Sequence, residues 1–251
     1  EGLRKHFINA TIIHSQGYSS ESNNKKRNEE LKKEALSIAE KANVVLFIGG
    51  LNKNNSQDSE GADRQYYNLP YNQDDLIGSI AKVNKNISVI LISGNAVSMP
   101  WRDKIKSIVQ SWYLGSEAGN ALASILSGRA NPSGKLPFTF PKKLSDNAAH
   151  YYGTLSYPGD GENQYYKEDI LVGYRWNDTK KIKPEFAFGH GLSYTSFKLS
   201  NIISDKKNYK SADTIKISCS VENTGSVQGA EVIQVYIGKE NSKVNRAMKE
   251  L

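Results

Sequence analysis

Up to about residue 145 the chain alternates between two hydrophobic patterns. Continuous apolar runs, "VVLFIGG" at 44–50 and "ISVILISG" at 87–94, suit parallel strands covered on both faces. A shorter apolar run, "ATIIHS" at 10–15, precedes them, and "IKSIVQSWYLG" at 105–115 contains another strand. Between the runs, apolar residues recur at helical spacing. In 28–43 they are Leu31, Ala35, Ile38, Ala39 and Ala42, with Glu29 and Glu30 near the end where a helix dipole favours acids. Residues 72–83 are amphipathic, with Asn72 as the expected N-cap. Residues 116–128 read as a helix with a serine cap, Ser116, and a closing glycine, Gly128. "KLPFTFP" at 135–141 ends the series. Such alternation predicts a right-handed, mostly parallel α/β sheet over residues 1–145.

From 146 to 195 the period disappears into a stretch rich in Tyr, Gly and Asp. An aperiodic segment of that length suggests a functional or interface role. From 196 onward the runs become β-type, and "DTIKISCSVENTG" alternates at Ile215, Ile217, Cys219 and Val221. They read as the beginning of an antiparallel sandwich. A seven-stranded sandwich needs about 100 residues, so residues 196–251 are expected to hold only part of one.

Composition narrows the function classes. With 38% hydrophobic residues, the 251-residue chain has enough apolar material for a packed core. The net charge of +7 is spread over short clusters such as "NNKKR" and "DKK". No basic stripe interleaved with aromatics is present, which argues against nucleic acid as a partner. No run approaches the ~20 apolar residues of a membrane span. The single cysteine, Cys219, excludes an internal disulfide framework and is expected to be a buried small apolar residue. The start, "EGLRKHF", reads as the middle of a helix, with no signal peptide. A fragment of a periplasmic or secreted protein, with its export signal upstream, is the expectation.

Candidate chemistry concentrates in "NNSQDSEGADRQYYNLP", residues 54–70, which carries Asp58, Glu60 and Asp63. The segment follows an apolar strand, and in open α/β sheets ligands bind outside the carboxyl ends of strands. A glutamate beside a glycine sits on a backbone that bends freely. A working acid and an ordinary solvated connection both fit these residues. Asp63 precedes Arg64, whose charge is expected to keep that carboxylate ionised; Asp58 has no sequence neighbour that raises its pKa. Elsewhere, "FGHGL" at 188–192 is a tight turn and not a dinucleotide fingerprint, and "NPSGKLP" at 131–137 lacks the parts of a phosphate loop. His6, His14, His150 and His190 show no ligand spacing, so neither a metal nor a cofactor is expected. Glu117 opens a helix, which accounts for it. Glu168 and Asp169, set among aromatics, suit a sugar-facing surface or an interface.

The order of these segments carries a resemblance. "SEGADR", "NLPYNQDDLI", "WRDKIKSIVQSWYLGSEAGNALASILSGRANPSGKLPFTFP", "YKEDILVGYRW", "PEFAFGHGLSYTSF" and "VENTGSVQGAEVIQVYIG" together resemble the C-terminal part of glycoside hydrolase family 3, in its β-glucosidase branch. The resemblance implies an α/β sandwich domain over 1–145 that lacks its usual first strand. It implies an irregular aromatic-rich extension over 146–195 and a truncated fibronectin type III-like module over 196–251. It implies a retaining, exo-acting β-glucosidase whose aspartate nucleophile lies in an N-terminal barrel of the same protein. The general acid/base then falls on Glu60. The substrate would be a β-linked oligosaccharide or β-glucoside, with no cofactor. β-Xylosidase and exo-glucanase activities, or a non-catalytic carbohydrate-binding or interaction module, are the alternatives.

On this reading the barrel and its nucleophile are absent from residues 1–251. The purified chain is therefore expected to release no nitrophenol from aryl β-glucosides. Turnover that survives removal of contaminating glycosidases would contradict it.

Overall fold

A computed structural model describes residues 1–20, 25–54, 57–61, 63–210 and 212–251. Asn23 and Asn24 of the "NNKKR" cluster, Asn55 and Ser56 of the acidic loop, and Ala62 of "SEGADR" lie outside the described residues. The first helix, α1 (Gly2–His6), crosses close to a later one, α4 (Ala118–Leu126). A Cβ on Gly2 would lie 2.2 Å from the Gly119 carbonyl oxygen. Helix α2 (Lys25–Lys41) packs against α3 (Gln73–Val83). Between and after them run β1 (Val45–Gly50), β2 (Ile87–Ile92) and β3 (Ser107–Gln110), which form a parallel sheet in the order β1-β2-β3. The fold class expected from the sequence holds: a parallel α/β sandwich precedes a small antiparallel sheet.

The central strand explains the continuous apolar runs. Ile87, Val89, Ile90 and Leu91 of β2 have no exposed surface, because both faces of the strand are covered. From α2 and α3, Ala39, Leu76, Ile77, Ile80 and Ala81 join the strands in one core with Trp101 and Phe140. Trp101 is buried whole, and its indole N–H donates to Asp74 Oδ1 at 2.7 Å.

At the end of β1 the backbone meets a buried amide. Gln73, fully buried, accepts from Gly50 N at 2.8 Å and donates to Gly50 O at 2.8 Å and to Pro70 O at 3.1 Å. The contact requires glycine. A Cβ on Gly49 would lie 2.2 Å from Gln73 Oε1, and one on Gly50 1.9 Å from Ile92 O.

Several sequence expectations are corrected. "ATIIHS" forms no strand; among the described residues it finds no strand partner, and Ile13 is exposed. Asn72 stands at the N-cap of α3, but with φ +57°, in the left-handed region, and its side chain caps nothing. Asp74, in the first turn of α3, instead accepts from the preceding loop, at Leu69 N, 3.1 Å. Helix α2 begins at Lys25, so Glu29 and Glu30 lie beyond its first turn. Ser116 falls in a 3-10 turn, Gly115–Glu117, and Glu117 is the N-cap of α4 without a side-chain cap bond. Gly128 does close that helix, at φ +75°.

Residues 146–195 contain only α5 (Ala148–Tyr151) and α6 (Tyr174–Lys180), around a small cluster of Ala148, Leu171, Trp176 and Ala247. Ala247 comes from the C-terminal segment, and polar links reinforce the contact. Thr179 Oγ1 accepts from Met248 N, Tyr174 Oη accepts from Leu251 N, and Asp178 pairs with Lys249 at 3.1 Å. Asp169, though exposed, accepts from Asn245 at 2.9 Å and adds to this link, whereas Glu168 beside it is buried.

Two sequence blocks bolt the α/β part to the C-terminal third of the chain. Leu136 N donates to His190 O and Gly189 N to Leu136 O, each at 2.8 Å, so "KLPFTFP" runs beside "FGHGL". Asn131 Oδ1 accepts from Ser193 and Tyr194, and Lys135 pairs with Glu231 at 2.8 Å. Beyond this junction β4 (Phe197–Ser204) and β5 (Ile217–Asn223) form a two-stranded antiparallel ribbon. Cys219 is exposed on β5, against the expectation of burial. No second sheet faces the ribbon among the described residues, so alternation there marks the pleat and not a core.

The buried amide of Gln73 generates a stability prediction. Gln73→Leu keeps the volume but strands the Gly50 N–H and C=O, at roughly 1–3 kcal/mol for each group. Urea denaturation is expected to show a lower midpoint; an unchanged midpoint would mean that the backbone finds other partners.

Candidate functional site

Because β1, β2 and β3 are parallel, the segments that leave their C-terminal ends emerge along one edge of the sheet. They are the acidic loop after Gly50, the "SGN" turn after Ile92, and Ser111 to Tyr113 after Gln110. Together they line a polar cleft of about 330 Å³, walled by Asp58, Asp63, Arg64, Gly94, Asn95 and Tyr113. A larger groove, about 610 Å³, lies between residues 191–199 and 231–236. Its titratable groups are Glu231, already paired with Lys135, and Tyr236, so it offers no free acid.

The loop's first half is organised by amides around one phenol. Tyr71 Oη accepts from Asn52, Asn54 and Gln57 at 3.2, 2.9 and 2.7 Å. Burial alone would raise that phenol's pKa, but the three donors bring it below the ordinary value. Asp58 comes next, and its carboxylate reaches across to the sheet. Oδ2 accepts from Gly94 N and from Tyr113 Oη, each at 2.7 Å, and Oδ1 from Asn95 Nδ2 at 3.2 Å. Burial pushes the Asp58 carboxyl upward. The donations from Tyr113, Gly94 and Asn95, with the nearby Arg64 charge, overcome it and hold the carboxyl below its usual range. In return burial and Asp58 push the Tyr113 phenol up to about 12.

The other two acids of the loop differ. Asp63 Oδ2 accepts a hydrogen bond from Tyr157 Oη, which belongs to the irregular segment 146–195. Glu60 is exposed in a turn with Gly61, whose φ of +79° is one that glycine adopts without strain. No hydrogen bond or ion pair engages the Glu60 carboxylate among the described residues.

The expectation that Arg64 serves Asp63 is thereby corrected. The Arg64 guanidinium turns toward the sheet, donates from Nη2 to Ala96 O at 2.5 Å and lies over the Tyr67 ring at 5.7 Å. The carboxylate that feels its charge is Asp58. Sequence reasoning missed Gly94, Asn95, Tyr113 and Tyr157. The first three follow strand ends, which was the available signal; nothing marked Tyr157. No three His, Cys, Asp or Glu side chains gather closely enough to hold a metal ion among the described residues. No helix is long and apolar enough to cross a membrane, again among the described residues.

The glycosyl hydrolase family 3 C-terminal domain matches residues 1–194. The chain belongs to glycosyl hydrolase family 3. Among curated family-3 relatives, the β-glucosidase BoGH3A of Bacteroides ovatus is 49% identical across 100% of the chain and 34% of its own length. Thermostable β-glucosidase B of Acetivibrio thermocellus is 43% identical, with 96% and 31% covered. In solved structures, the family-3 β-glucosidase of Bifidobacterium adolescentis matches 99% of the chain and 36% of its own, with TM-score 0.87 and 33% identity. DesR, a β-glucosidase from Streptomyces venezuelae in complex with D-glucose, matches 90% and 28%, with TM-score 0.82 and 37% identity. The chain thus spans about a third of the length of these relatives.

The Asp58 cluster yields a titration prediction. A folded-state pKa held below the unfolded value of ~3.9 means that this tether is fully present above that pH and is lost as pH falls through the folded value. Carboxyl-carbon NMR should place the Asp58 midpoint below the ordinary range. Tyr113→Phe, which removes one donor, should move it upward; an unmoved midpoint would assign the hold to other groups.

Proposed function

We propose that the chain works as the C-terminal part of a retaining, exo-acting β-glucosidase that releases terminal β-D-glucosyl residues. In this reading Glu60 is the general acid/base, and an N-terminal barrel of the same protein supplies the aspartate nucleophile. Family membership supports the reading, and so do relatives named β-glucosidases. The observation that carries the choice of acid is one of occupancy. Of the three carboxylates on the loop, Asp58 accepts from three donors and Asp63 from Tyr157, while Glu60 is exposed and accepts from none among the described residues.

The chemistry is that of a two-carboxyl mechanism. A retaining glycosidase needs two carboxyl groups ~5–5.5 Å apart, one attacking the anomeric carbon and one protonating the leaving oxygen. The second must be protonated when substrate arrives and must then take a proton from water. An exposed glutamate meets that need once a sugar and a facing domain bury it, since desolvation favours the neutral carboxyl. The loop lies at the carboxyl edge of the sheet and Glu60 is exposed on it, which supports a reading in which a second domain faces it.

The test is kinetic, on the full-length protein. Glu60→Ala is expected to lower turnover of cellobiose by ~10²–10⁴, the usual scale of general acid–base catalysis. Glycosylation by dinitrophenyl glucoside should suffer far less, because that leaving group departs without a proton. Deglycosylation should slow, and added azide should restore it in part by attacking the intermediate directly. Equal losses in glycosylation on both substrates, with no effect of azide, would assign Glu60 a structural role.

A further inference from the structure

We infer that Asp58, through Tyr113, Gly94 and Asn95, is the positioning residue that sets where Glu60 stands. The inference rests on the acid/base reading of Glu60. Asp58 lies two residues before Glu60, so the chain between them spans at most ~7 Å. Its carboxylate links the loop directly to the ends of both β2 and β3. Gly94 N and Asn95 Nδ2 hold it from the first, Tyr113 Oη from the second. These donors belong to segments anchored by the buried sheet. The hydrogen bonds are charge-assisted, the stronger class.

The fit around this carboxylate is close on both sides. A Cβ on Gly94 would lie 3.3 Å from Asp58 Oδ2 and 3.2 Å from the Tyr113 ring, so a side chain there would press on both partners and shift them by a few tenths of an ångström. Behind Asp58, its own backbone N–H donates to Asn52 O at 3.1 Å, and Asn52 N donates to Gln57 Oε1 at 3.0 Å. Beyond Glu60, Asp63 is held by Tyr157. Glu60 and its left-handed glycine therefore stand between Asp58, held by three donors, and Asp63, which accepts from Tyr157. Asp58 itself, with its oxygens committed, takes no proton from a reactant. A general acid misplaced by 1 Å can lose about 10²-fold in rate, and Asp58 is the nearest fixed point to Glu60.

The test uses the full-length protein and the same two substrates. Asp58→Ala is expected to lower cellobiose turnover by roughly 10- to 100-fold. It should leave glycosylation by dinitrophenyl glucoside nearly unchanged and make deglycosylation partly azide-sensitive. Tyr113→Phe and Gly94→Ala should show the same pattern, more weakly. Because Asp58 acts through Glu60, the double variant Asp58→Ala/Glu60→Ala should lose no more than Glu60→Ala alone. If Glu60→Ala shows the leaving-group signature while Asp58→Ala does not, or the two losses multiply, the positioning role is overturned and the acid/base reading stands. If Glu60→Ala lacks the signature, both fall. Circular dichroism and thermal midpoints identify variants that fail to fold; should Asp58→Ala be one, Tyr113→Phe alone and combined with Glu60→Ala decides by the same criteria.

Discussion

The buried amide of Gln73 closes the base of the acid-bearing loop, and much of the site depends on that closure. The loop leaves the sheet at Gly50 and returns at Pro70, and one side chain hydrogen-bonds both. A backbone N–H and C=O at a strand end need partners when they are buried. Here the partner is the first residue of α3, so the helix that covers the sheet also fixes the span available to the loop. Leu51 N, donating to Ile92 O at 2.8 Å, adds a second hold on the start of the loop that leads to Asp58. The pair of glycines before the loop comes from the same geometry, since no side chain fits between β1, the amide and Ile92.

Legibility in the sequence tracked the kind of force involved. Strands β1 and β2 and the helices around them were readable because burial on both faces writes a continuous apolar run, and one-sided burial writes a helical period. The same logic failed for "ATIIHS", whose composition matches a strand but which pairs with none among the described residues. Pairing is a property of neighbours, and composition does not carry it. The alternation through Cys219 likewise reported a pleat, while its exposure depends on what faces the ribbon. Asn72 was placed at the right position for the wrong reason. It ends the loop through a left-handed backbone with no cap bond, while Asp74 ties the helix's first turn back to the loop at Leu69.

For the site, the loop and its three acids were visible, and their division of labour was not. Adjacency along the chain paired Asp63 with Arg64, yet the guanidinium turns to the sheet and acts on Asp58. The partners that fill Asp58 lie 36, 37 and 55 residues away, and the one that fills Asp63 lies 94 away. Only the parallel topology brings Gly94, Asn95 and Tyr113 to one edge. Specific blocks such as "NPSGKLP" and "FGHGL" proved to be structural: they run side by side and join the α/β part to residues around 231.

The return of the loop carries a cost of a different kind. Tyr71 and Asn72 both adopt positive φ, +59° and +57°. For a bulky residue such as tyrosine this region is strained, by about 1–2 kcal/mol. The phenol that collects three amide donors, and stacks on Tyr18 at 6.2 Å, belongs to the very residue whose backbone bears that strain. Side-chain bonding and backbone distortion are thus stored in one place and offset each other. Loss of the amide donors to the Tyr71 phenol would leave that backbone strain without its offset.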